Sequence, residues 1–176
     1  DFIYRHDGNI LHANQHIDRR EGLFLQRVEW DLASFQIAKP QMQAAIEQWA
    51  KPFGMQWSLH FSQDVPKVAI LVSKHAHCLY DLLARWKNGE LRVDVQVVLS
   101  NHTDLRHVAE CFGVPFVHCP LTPESKPQQE QQLHETLGAY GIDLVVLARY
   151  MQVLSDGFVG RYPNRIINIH HSFLPA

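Results

Sequence analysis

Near the C-terminal end, Asn168 and His170 stand two positions apart, directly after the apolar pair Ile166-Ile167. On an extended segment, residues two apart point to the same face. An amide and an imidazole presented together can act on one carbonyl. The carboxamide N–H stabilises charge developing on the oxygen, and the histidine moves a proton. By itself an Asn-x-His pair is as well explained by an asparagine closing a turn and a histidine bonded to a backbone carbonyl. Its position in the fold therefore has to decide.

The elements around it supply that position. From residue 66 onward, apolar runs of strand length alternate with amphipathic segments. Strands are expected at 67–73, 93–99, 115–119, 142–148 and 166–169, and helices at 77–87, 101–112 and 127–140. The strands are nearly continuous in apolar residues, which marks a parallel sheet covered on both faces, a Rossmann-like α/β arrangement. Ligands of such sheets bind beyond the strand C-termini. Asn168 and His170 lie at such an end, and so does the segment Arg149-Tyr150-Met151-Gln152-Val153-Leu154.

Residues 1–63 have a different pattern. Strands are expected at 9–17 and 23–30 around a turn at Glu21-Gly22, a helix at 41–52 behind Pro40, and a further strand at 55–61. With one more strand and helix in front, this order would complete a ferredoxin-like β-α-β-β-α-β unit. Ser62-Gln63-Asp64-Val65-Pro66 suits a linker. Two domains are therefore expected, 1–63 and 66–176.

Composition narrows the function classes. A formal net charge of −2 offers no basic field for a nucleic-acid backbone. No apolar run is long enough for a transmembrane helix. Three cysteines, Cys78, Cys111 and Cys119, form no C-x-x-C pair and read as reduced thiols of a cytoplasmic protein. His75, His77, Cys78, His118 and Cys119 lack the spacing of a zinc site, so no metal is expected. The loop Ser73-Lys74-His75-Ala76-His77 contains no glycine, which excludes a dinucleotide fingerprint there. The chain starts without methionine and stops inside the C-terminal motif, so both extremes are expected to be missing.

Asn168-Ile169-His170-His171-Ser172-Phe173-Leu174-Pro175, with 147–154 upstream, resembles the signature of the folate-dependent formyltransferase fold. The resemblance implies that Asn168 orients a formyl oxygen and stabilises its charge, and that His170 assists proton transfer. An aspartate completing the set would lie beyond Ala176. The pterin would be held by main-chain atoms near Gln152 and Leu154, with Tyr150, Met151 and Val153 in the same segment and His171 beside the catalytic pair. Arg149 stands where relatives often have glycine. His171 replaces a common proline, as in the branch that hydrolyses 10-formyltetrahydrofolate, the formyltetrahydrofolate deformylases. Relatives that formylate glycinamide ribonucleotide carry a glycine-rich phosphate loop after the first strand, and this chain does not. Hydrolysis to tetrahydrofolate and formate, supplying purine synthesis without a cofactor, is the implied activity. A formyltransferase acting on an amine acceptor and a non-catalytic amino-acid sensor are the alternatives.

Gly8-Asn9-Ile10 and the hairpin after it resemble an ACT domain. That resemblance implies an amino-acid effector contacted at Asn9 and Ile10, and a homo-oligomer.

Overall fold

The computed structural model describes residues 1–121 and 125–169. Two compact units divide the chain, Asp1–Phe61 and Ser62–Ala176.

The first unit begins with a short helix, α1 (Phe2–Arg5), and an antiparallel hairpin of β1 (Asn9–Asp18) and β2 (Leu23–Asp31). The turn is built by Asp18, whose carboxylate accepts the amides of Arg20 and Glu21 at 2.9 and 3.2 Å, with Gly22 at φ +64°. Helix α2 (Lys39–Ala50) carries Pro40 in its first turn, where no backbone N–H is missed, and runs into a 3₁₀ turn, Lys51–Phe53. Phe2, Phe35 and Met42 are buried together, with Trp30, Leu59 and Phe61 packed against them. The hairpin itself leaves Ile10, Leu11, Ile17, Leu23, Phe24 and Leu25 half exposed or more.

The strand expected at 55–61 is not formed. A strand exists only by sharing hydrogen bonds with a neighbour, and among the described residues the small sheet of this unit holds β1 and β2 alone. The alternating Leu59 and Phe61 instead press one side of an extended segment onto the Phe2–Phe35–Met42 core. Of the strands expected in this incomplete ferredoxin-like unit, the described residues form β1 and β2, followed by α2.

The second unit holds β3 (Lys67–Val72), α3 (His77–Lys87), β4 (Asp94–Ser100), α4 (Arg106–Cys111), β5 (Phe116–His118), α5 (Lys126–Ala139), β6 (Leu144–Ala148), α6 (Asp156–Val159) and β7 (Ile166–Ile169). The five strands form one parallel sheet in the order β5-β4-β3-β6-β7. Both faces are covered. Leu133 and Leu137 of α5 and Phe158 of α6 pack with Leu71, Leu99 and Leu147 on one face. Leu79 and Leu83 of α3 and Val108 and Ala109 of α4 pack with Ile70, Val72 and Val98 on the other. This is the α/β class expected from the near-continuous apolar strands.

One helix begins later than its pattern suggested. The run expected at 101–112 is helical only from Arg106. Before it, the Ser100 hydroxyl accepts the His102 amide at 3.1 Å, and Asn101 is engaged elsewhere. Short polar side chains here bond the backbone in a non-helical turn and delay the helix. Helix α6 was not foreseen. Its start is marked by Ser155, whose hydroxyl accepts the Phe158 amide at 3.1 Å as an N-cap.

Among the described residues, no helix is long and apolar enough to cross a membrane.

Candidate functional site

In a parallel sheet all strand C-termini lie along one edge. Here the chain steps from β3 outward through β4 to β5, then returns to lay β6 on the other side of β3. The return makes a topological switch point between β3 and β6, the place where ligands of such sheets commonly bind.

Asn168 is placed at this edge by register. Leu71 of β3 pairs with Leu99 of β4 and with Leu147 of β6, and Leu147 pairs with Asn168 of β7. Paired residues share a face of the sheet. Asn168 is therefore the last member of a row whose three leucines are buried, and the only polar one of the four. It is exposed, unlike the leucines. A carboxamide there is held by a rigid strand while its polar end stays accessible. His170 and His171 lie outside the described residues.

The segment after β6 turns sharply. Arg149 adopts φ +54°, a left-handed conformation that a non-glycine residue reaches only at a cost of about 1 kcal/mol or more. Tyr150 then points into the core with Leu147 and Phe158 and is 7% exposed. Burial, followed by the neighbouring charges of Cys119 and Glu130, pushes its phenol far above its ordinary range. It is a neutral packing group at any working pH, and its side chain is not presented at the surface. Met151 and Val153 turn outward, Val153 being 80% exposed, while Gln152 and Leu154 are half-buried. An apolar rim thus stands at the strand edge beyond β6. Asn9 and Ile10 lie in the other unit, at the start of β1, opposite Asp31 and Trp30.

The far end of this segment is tied down. Glu130 of α5 accepts the Ser155 amide at 2.8 Å, and its second oxygen accepts the Ser155 hydroxyl. Ser155 in turn caps α6. Replacing Glu130 by alanine should leave a part-buried amide without its partner and cost about 1–3 kcal/mol, read as a lower urea midpoint with an unchanged slope.

Beneath the rim, burial pushes the Cys119 thiol up to about 11, so it is an inert core group. Among the described residues, no three histidine, cysteine or acidic side chains gather as metal ligands.

Comparison with known proteins fits this geometry. The sequence profile of the formyl transferase family matches residues 66–176. The chain belongs to the formyl transferase family. Within it, the chain is 51% identical over 176 residues to formyltetrahydrofolate deformylase from Synechocystis sp., covering 99% of this chain and 61% of that protein. The crystal structure of formyltetrahydrofolate deformylase from Burkholderia mallei superposes with a TM-score of 0.90 at 41% identity, over 99% of this chain and 61% of that one. Glycinamide ribonucleotide transformylase 1 from Symbiobacterium toebii aligns over 68% of this chain and 58% of its own, at 32% identity and a TM-score of 0.59. The chain thus spans about three fifths of the deformylases it matches.

Proposed function

We propose that the protein carrying this chain hydrolyses 10-formyltetrahydrofolate to tetrahydrofolate and formate. The observation that carries this reading is the reach of the likeness. Similarity to deformylases runs through both units, whereas the glycinamide ribonucleotide enzyme aligns over 68% of the chain. The loop after β3, with Lys74 and His75 exposed and no glycine, supports water as the acceptor over a phosphate-bearing amine.

In this reading, Met151 and Val153 offer apolar surface to the flat pterin, and main-chain groups near Gln152 and Leu154 hold its polar edge. His171, outside the described residues, is assigned to substrate binding as part of the same reading. Water attacks the formyl carbon and a C–O bond forms. The Asn168 carboxamide donates to the oxygen as it gains negative charge. The C–N bond then breaks, and His170 assists delivery of the proton given up by the attacking water to N10 of the departing tetrahydrofolate. An N-formyl carbon is already electrophilic, so the reaction requires neither metal nor redox cofactor.

The first unit is read as an ACT-type regulatory domain that takes an amino acid at Asn9 and Ile10 and joins copies of the chain into a homo-oligomer. Placed in the cytoplasm, the enzyme would supply formate for purine synthesis and balance the one-carbon folate pool.

The test is formate release by the full-length gene product from 10-formyltetrahydrofolate, with and without glycinamide ribonucleotide. Release without the acceptor is expected. Formyl transfer to the amine with no free formate would move the protein to the transferase branch. Amino-acid binding with no folate binding would make it a sensor.

A further inference from the structure

The β3–β6 switch point contains a buried polar chain that the catalytic reading leaves unused. Ser73, the residue after β3, is 2% exposed, and Asn101, after β4, is 8% exposed. The Ser73 hydroxyl donates to the Asn101 side-chain oxygen at 2.8 Å and accepts the Met151 amide at 3.0 Å. Ser100 adds a longer bond, its hydroxyl donating to the Ser73 carbonyl at 3.4 Å. Three strands separated by 28 and 78 positions in sequence thus meet through one oxygen atom.

A hydroxyl has a single proton. The Met151 amide can only donate, so the Ser73 oxygen accepts it, and by taking the Ser73 proton Asn101 orients the hydroxyl so that a lone pair meets that amide. Bonds in series also polarise one another. The amide that is held follows Arg149, the residue in the left-handed conformation. Holding Met151 therefore fixes the turn from which Gln152, Val153 and Leu154 emerge.

Buried polar groups weaken a core unless fully partnered, and here they gather at the ligand-bearing edge of the sheet. We propose that Ser73 and Asn101 are positioning residues that set the affinity for the folate by holding the 149–154 segment in its binding shape. The proposal rests on the reading that this segment holds the pterin. Ser73 is buried and its hydroxyl is engaged by Asn101 and Met151, so its loss should appear in binding and not in the chemical step.

The experiment compares steady-state kinetics of the full-length enzyme with Ser73→Ala, Ser73→Thr and Asn101→Ala on 10-formyltetrahydrofolate, alongside thermal unfolding of each. Ser73→Ala is expected to raise KM about tenfold or more, a factor that one lost buried hydrogen bond can produce, with kcat within twofold and the pH profile of kcat unmoved. Ser73→Thr keeps the hydroxyl and should keep KM. Asn101→Ala removes only the partner that orients the hydroxyl and should raise KM by less. A KM unchanged in Ser73→Ala, or a loss confined to kcat, overturns the proposal. If Ser73→Ala does not fold, an unchanged KM in Asn101→Ala overturns it. A wild-type enzyme that releases no formate instead defeats the reading of the activity, which separates the two failures.

Discussion

In the intact enzyme, Asn168→Ala is expected to lower kcat for formate release by about 10²–10³-fold, the usual loss when one oxyanion donor is removed from a site that holds it rigidly. The expectation comes from where the side chain stands. Its strand pairs in register with Leu147, and Leu147 with Leu71, so the sheet positions the backbone beneath Asn168. On the proposed mechanism the donor would then be set before substrate arrives and would cost no reorganisation during the reaction. Because Asn168 is exposed, its removal should leave unfolding free energy within about 0.5 kcal/mol of wild type. Catalysis and stability separate at this position, and that separation is the check. Asn168→Asp should be no better than alanine, since a carboxylate donates nothing and repels the developing charge. His170→Ala is expected to cost about 10²–10⁴-fold, the usual range for a proton-transfer residue. Full activity in either alanine variant would remove the pair from the mechanism.

The parts of this fold that could be read from sequence are those whose signal is local. Residues 68–72, 95–99 and 144–148 are apolar at nearly every position, and only strands buried on both faces need that pattern. Helix α3 was legible because Leu79 and Leu83 repeat at the helical period on the side that meets the sheet. The same reasoning failed at 55–61. Trp57, Leu59 and Phe61 alternate as a strand does, but alternation is satisfied equally by an extended segment laid on a core. Which outcome occurs depends on a neighbouring strand, a fact about another part of the chain. Ser100-Asn101-His102-Thr103-Asp104 failed for the opposite reason, since competition between side chains and backbone overrode the helical spacing that follows.

The site divides in the same way. The placement of Asn168 on a strand of the sheet was legible because Ile166 and Ile167 form a short apolar run directly before it. Ser73 and Asn101 were not. A lone serine after a strand carries no periodicity, and its significance appears only when β3, β4 and β6 are laid side by side. Tyr150 shows the limit of a motif. It stands in the expected substrate segment, yet its ring belongs to the core, because the turn at Arg149 rotates it inward and gives the exposed positions to Met151 and Val153.

That core sets the second large effect. Leu71→Ala is expected to destabilise the protein by about 3–5 kcal/mol, as fully buried leucines do when the cavity cannot collapse. Leu71 is wholly buried at the centre of the sheet, flanked by Leu99 and Leu147, with Leu133 and Leu137 of α5 in the same cluster. Strands on both sides fix the backbone, so the walls of the cavity cannot close in. A loss of that size is a large share of the roughly 5–15 kcal/mol typical of a folded protein. Ile167→Ala supplies the control, since this residue lies on the same sheet but is half exposed and should change stability by less than about 1 kcal/mol. Urea unfolding of both variants checks the pair: similar losses would mean that the β7 end of the sheet is covered in the protein, and a small loss at Leu71 would mean that the sheet can shift to fill the gap. In the latter case the row ending at Asn168 would not be rigid, and the argument for a pre-set oxyanion donor would fall with it.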